Sequence, residues 1–201
     1  VIASSAYTSG AIPFVAGMGT GSTYAAGATP YFGYFNGTSW VIVVQSSTSL
    51  SLNTWYHMAY VYNAATATIY ANGVSVGTAA ATTWQTTAGT AGFYIGRRWD
   101  LGGTNYFNGY INNFRFTIGA ALYNGNFVPS TAVLPATANT YLLACQSNRL
   151  IDNSPNGFAI TKNGTPILTS FNPFGNAAPL TTTVPISTNY SLYFDGNGDY
   201  L

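Results

Sequence analysis

Glutamate is missing from all 201 residues, and the chain carries five Lys or Arg, four Asp and a single His. That is 4% charged residues, against roughly 25% in ordinary soluble domains, so solubility must come from Thr, Ser, Asn and Gly. A net charge of +1, with Arg97-Arg98 as the one adjacent basic pair, gives no electrostatic footprint for a phosphate backbone; nucleic acid is excluded as a partner. No stretch approaches the ~18 uncharged apolar residues that span a bilayer, and membrane insertion is not expected. Nor is there the basic n-region and apolar h-region of a signal peptide. With one cysteine, Cys145, no internal disulfide can form and zinc-ligand spacing is absent. Lying in the apolar run that begins at Tyr141, Cys145 reads as a core residue.

What the chain has is aromatic, alternating segments punctuated by Asn-Gly. Tyr31 to Phe35 and Trp40 to Val44 read as a hairpin across Asn36-Gly37-Thr38-Ser39, since β-branched and aromatic side chains suit a pleated, half-buried surface. Residues 55–62 and 66–71 pair across Asn63-Ala64-Ala65, and Asn72-Gly73, which tolerates positive φ, returns the chain into residues 74–76. Residues 93–97 and 106–117 follow as strands flanking an exposed loop, 98–104. Residues 120–123 are the one plausible helical turn. Pro129, Pro135 and a Ser/Thr/Ala spacer suggest that a unit closes near residue 135, after which residues 141–144 open a new strand and the chain ends on Ser-Leu-Tyr-Phe-Asp-Gly-Asn-Gly-Asp-Tyr-Leu. The expected class is all-β: a two-sheet antiparallel sandwich with almost no helix.

Five ordered motifs give this pattern a family likeness: Trp55-x-His57, Tyr70-x-Asn72-Gly73, Ile95-Gly96, Phe107-x-Gly109-x-Ile111-x-x-Phe114-Arg115, and Ala121-Leu122-Tyr123. In these the chain resembles the laminin-G-like, concanavalin A-like jelly roll. The resemblance implies a jelly-roll sandwich in residues 1–135. It also implies that residues 136–201, with their Leu-Leu strand, Asp152-x-Ser154 loop and Ser191-Leu192-x-Phe194-Asp195-Gly196 strand, hold segments that open the domain in the family. Here those segments come last. Two explanations stand: a piece of a tandem-repeat protein beginning its next copy, or a circular permutation whose last strand completes its own sandwich.

Glycosidases on this fold use two carboxylates across the scissile bond, commonly in a Glu-x-Asp-x-x-Glu motif that a chain without Glu cannot contain. Asp100 and Asp152 stand apart, while Asp195 and Asp199 share the terminal turn; no acid pair is evident. His57, between Tyr56 and Met58, reads as a structural strand residue, and no catalytic residue is expected. Asp195-x-Asn197-x-Asp199 has the spacing that opens many calcium loops, yet Tyr200 stands where such a loop needs Gly, so calcium and simple turn capping both remain open. For carbohydrate, the best cluster of aromatic, cationic and hydrogen-bonding groups is Arg97, Arg98, Trp99, Asp100, Asn105 and Tyr106. Its bland reading is a surface loop held by an Arg98–Asp100 pair. Trp84 with Gln85 is a second possibility.

Low charge, Ala/Thr/Asn/Gly-rich loops and the segments Ala-Leu-Tyr-Asn-Gly-Asn-Phe-Val-Pro and Leu-Ile-Asp-Asn-Ser-Pro-Asn-Gly look most like jelly rolls of bacteriophage tail, fibre and decoration proteins. The resemblance implies a non-enzymatic module of a virion surface or the extracellular space, assembling with copies of itself or neighbouring virion proteins and contacting host-surface glycans. A bacterial extracellular filament or adhesin repeat is the structural rival; a divergent glycosidase, its acids supplied from elsewhere, is the enzymatic one.

Overall fold

A computed structural model describes residues 2–5, 14–20, 25–35, 40–82, 84, 92–98, 106–175 and 189–201. The 36–39 turn, Gln85 and the middle of the 98–104 loop lie outside them. The described residues form thirteen strands, all paired antiparallel, and no helix. The chain divides into two compact units, Val1–Phe107 with Tyr123–Pro129, and Asn108–Leu122 with Ser130–Leu201.

In the first unit, β1 (Ala3–Ser5), β2 (Phe14–Thr20), β3 (Ala25–Phe35), β4 (Trp40–Gln45) and β8 (Phe93–Ile95) make a five-stranded sheet in the order β4-β3-β2-β1-β8. A second sheet, β5-β6-β7, is formed by Met58–Asn63, Thr66–Ala71 and Val74–Ala80. Aromatic side chains join the sheets: Phe32 packs on Tyr60 at 5.6 Å, and the Tyr60 hydroxyl donates to the Gly17 carbonyl at 3.1 Å. Trp84, 6% exposed, lies against Phe32, Tyr34 and Tyr62 at 4.6, 5.3 and 4.9 Å. The second glycan candidate of the sequence, Trp84 with Gln85, is therefore corrected: the indole is a core group, because it packs on two alternate rings of β3 and one of β5.

The two hairpins of the β5-β6-β7 sheet turn alike. Asn72 and Gly73 have φ of 50° and 79°, as the Asn-Gly signal requires, and Ala64 and Ala65 adopt 48° and 59° without its help. Gly73 is needed twice over, because a Cβ there would collide with the Phe127 carbonyl oxygen.

The second unit uses shorter strands. β9 (Asn108–Ile111), β13 (Ser191–Asp195) and β12 (Ile167–Thr169) form one sheet in the order β12-β13-β9, and β10 (Phe114–Thr117) pairs with β11 (Thr140–Ala144). The single strand expected over 106–117 is thus divided. Asn113, at φ 56°, interrupts it, and its side-chain oxygen accepts from the Leu134 N–H at 3.1 Å and from the Gln146 amide at 2.7 Å. The helical turn expected at 120–123 does not form; Gly119 takes φ 85° and the segment bends. Along β13, Leu192 and Phe194 are fully buried while Tyr193 and Asp195 face the other way, the alternation that a half-buried strand demands. The terminal strand pairs inside its own chain, with Leu192 opposite Ile111 and Leu168.

Candidate functional site

The loop singled out for carbohydrate leaves and returns at one point. Arg97 and Tyr106 form an isolated antiparallel bridge, and Phe107 N–H donates to the Gly96 carbonyl at 2.7 Å. Ser4 Oγ donates to the Arg97 carbonyl at 3.0 Å and Gly96 N–H to the Ile2 carbonyl at 2.8 Å, so β1 anchors the loop base. The Arg97 guanidinium lies 4.8 Å from the centre of the Tyr94 ring, a cation–π contact, and its Nε donates to the Arg98 carbonyl at 3.0 Å. Arg97, Arg98 and Tyr106 are half-buried. Trp99, Asp100 and Asn105 lie outside the described residues. The structure thus places Arg97, Arg98 and Tyr106 together at the loop base.

The Asp195, Asn197 and Asp199 cluster is organised around backbone donors. Asp199, 1% exposed, accepts from the Thr165 N–H at 2.6 Å through Oδ1 and from the Asp195 N–H at 3.2 Å through Oδ2. Asp195 Oδ1 accepts from the Asn197 N–H at 2.7 Å, closing an Asx turn. These bonds hold the bridge between Asn163 and Tyr200, in which each N–H donates to the other's carbonyl. No group of three His, Cys, Asp or Glu that could hold a metal occurs among the described residues.

Asp152 ties a second loop. Its Oδ1 accepts from the Leu143 and Ser154 N–H groups at 2.9 and 2.8 Å, and its Oδ2 from the Phe158 N–H and the Ser154 hydroxyl at 2.9 and 2.8 Å. Burial alone would raise its pKa, but those four donors outweigh it and hold the carboxyl below its ordinary value near 3.8. The His57 ring lies 5.4 Å from Phe127 and 6.1 Å from Tyr123, and its backbone N–H donates to Asn72 Oδ1 at 2.9 Å. Cys145 is buried at φ 58°, and desolvation pushes its thiol up to about 12.

One cluster was missed by sequence reasoning. On the outer face of the β12-β13-β9 sheet, Ile167, Tyr193 and Tyr110 stand opposite one another, and the Tyr110 ring lies 4.9 Å from Tyr193 and 4.8 Å from Phe171. The next row on that face pairs Asp195 with Asn108, both exposed. The alternation of β9 and β13 shows each tyrosine facing outward. Their juxtaposition depends on a register between segments more than 80 residues apart, which no local pattern encodes.

Antiparallel sheets throughout, aromatic inter-sheet packing and the absence of helix among the described residues define a jelly-roll β-sandwich, the class shared by many sugar-binding modules. A family model of the laminin G type, described as the concanavalin A-like lectin/glucanases superfamily, matches residues 2–121. The chain belongs to that superfamily. No curated protein and no solved structure matches it. Membership is compatible with a carbohydrate-binding or a structural module, and the superfamily's own name spans lectins and glucanases.

Proposed function

We propose that this domain is a non-enzymatic structural and adhesion module of a virion surface, of the tail, fibre or decoration kind, that assembles with copies of itself or with neighbouring virion proteins and contacts host-surface glycans. The observation that carries the non-enzymatic part is the fate of the carboxylates. The chain has no Glu, and Asp152, Asp195 and Asp199 each accept hydrogen bonds from backbone N–H groups. A glycosidase needs two carboxyls facing each other across a substrate, one of them protonated near neutral pH. Asp152 is pulled the opposite way, toward the ionised form. The virion setting is supported by the paucity of charge and by the Ala/Thr/Asn/Gly-rich loops.

Intrachain pairing of β13 supports reading residues 136–201 as strands that complete a sheet in this chain. Assembly then uses surfaces other than the terminal strand. Two assays test the proposal together: incubation of the purified domain with a polysaccharide panel, followed for reducing ends, and binding to a glycan array before and after Trp99→Ala. Binding without hydrolysis, lost in the variant with thermal unfolding unchanged, is expected. Release of reducing sugar would overturn the non-enzymatic reading.

A further inference from the structure

We propose that the outer face of the β12-β13-β9 sheet is a glycan platform built from residues other than those of the Arg97–Tyr106 loop and selective for neutral hexopyranosides; the proposal rests on the glycan-contacting part of the reading above. Tyr110 is 40% exposed and Phe171 55% exposed, with Ile167 beside them at 59%. Leaving three large apolar side chains contiguous and open on one sheet face carries a solvation cost that calls for an occupant. The polar groups next to them indicate which. One row away, roughly 7 Å along strands that rise about 3.4 Å per residue, Asp195 and Asn108 face each other across the β13–β9 ladder. An ionised carboxylate accepts from two hydroxyls and a carboxamide both donates and accepts. Rings for the apolar C–H face of a sugar, with a carboxylate and an amide at its edge for the hydroxyls, is the composition of a polyol site.

Charge narrows the ligand class. Asp195 is the one charged residue in β9, β12 and β13, so the platform's own strands carry one negative charge and no positive one. Uronates, sialosides and sulfated sugars are disfavoured there, and neutral hexopyranosides are accepted. The arginine-bearing loop of the first unit has the opposite bias.

Binding of laminarin, galactan and mannan, with polygalacturonate as the anionic control, tests this on the full chain and on Tyr110→Ala, Phe171→Leu, Asp195→Asn and Trp99→Ala. At least one neutral polysaccharide should bind, with a tenfold or greater loss in Tyr110→Ala and Phe171→Leu. Asp195→Asn retains the side-chain acceptor that closes the turn with Asn197, so the fold is kept; it should weaken neutral binding several-fold and lessen the discrimination against polygalacturonate. Should Tyr110→Ala fail to fold, saturation transfer between the Phe171 ring protons and the bound sugar in the native protein gives the same answer. Binding lost in Trp99→Ala but kept in the sheet variants would overturn the platform while leaving the module's glycan role standing. Binding of no neutral polysaccharide would overturn the platform, and binding of none of the four, polygalacturonate included, would overturn the glycan role as well. Sheet variants that change oligomeric state with sugar binding intact would mark the face as a protein contact and overturn the proposal.

Discussion

The two units solve the same folding problem with different materials. The first has strands of up to eleven residues and joins its sheets through rings, with Trp84 at the centre of Phe32, Tyr34 and Tyr62. The second has strands of three to five residues. Its long connections are tied by polar side chains: Asp152 accepts from residues 143, 154 and 158, Asp199 from 165 and 195, and Gln146 donates to Asn113 and Leu134 while accepting from Asn153. Short ladders leave many backbone donors unpaired, and each must find a partner or remain in water. A chain with four aspartates has spent three of them on that task in one unit. Apolar burial is insensitive to protons, whereas carboxylate ties are not, so the two halves should fail under different stresses.

The strongest test of that contrast is Trp84→Ala. Removing a buried indole from a packed ring cluster costs about 3–5 kcal/mol, and native-state hydrogen exchange should rise through β2 to β7 while the Asp152 loop keeps its protection. Equal acceleration everywhere would mean that the units do not fail separately.

Asp152→Ala is the converse, costing about 1–2 kcal/mol, a figure held down because water reaches this carboxylate. The amides of Leu143, Ser154 and Phe158 should lose protection first. Acid should do the same to the native chain. Because the carboxyl titrates lower in the folded state than unfolded, its stabilisation is complete above about pH 4 and disappears as the pH falls through the depressed folded value. A pH titration from 6 to 2 followed by exchange at these three amides checks the sign; protection that rose on acidification would contradict it.

The smallest effect separates two turns within the first unit. Ala64 and Ala65 hold positive φ without the residues that favour it, so the double change Ala64→Asn, Ala65→Gly should raise stability by about 1 kcal/mol. Gly73→Ala, blocked by the Phe127 carbonyl, should lower it. Both are read from chemical unfolding midpoints.

These turns also show what the sequence could and could not reveal. Asn72-Gly73 was legible because its conformational demand is written in its own residues, and the alternation around it gave β5, β6 and β7 within a few positions. The Ala64–Ala65 turn was placed by its flanking strands and not by its chemistry. The break at Asn112-Asn113 was invisible, since an Asn inside an alternating run signals nothing until Leu134 and Gln146 arrive to bond it. Trp84 looked isolated in an Ala/Thr-rich stretch; its burial comes from rings of β3 and β5 packed against it. For the candidate sites, the base of the Arg97–Tyr106 loop was readable as one local cluster. The tyrosines of β9 and β13 were readable separately but not as neighbours, because their pairing follows from long-range register.

Cys145 gives the chain a reporter of its own. Its sulfur is enclosed, its proton is held to about pH 12, and its carbonyl accepts from the Asn113 N–H at 2.9 Å. A thiol reagent therefore has no nucleophile to meet while the second unit is closed. Every labelling event records an opening, so the rate of thiol capture at neutral pH is a clock for the unit's breathing, readable in the unmodified protein with no probe added.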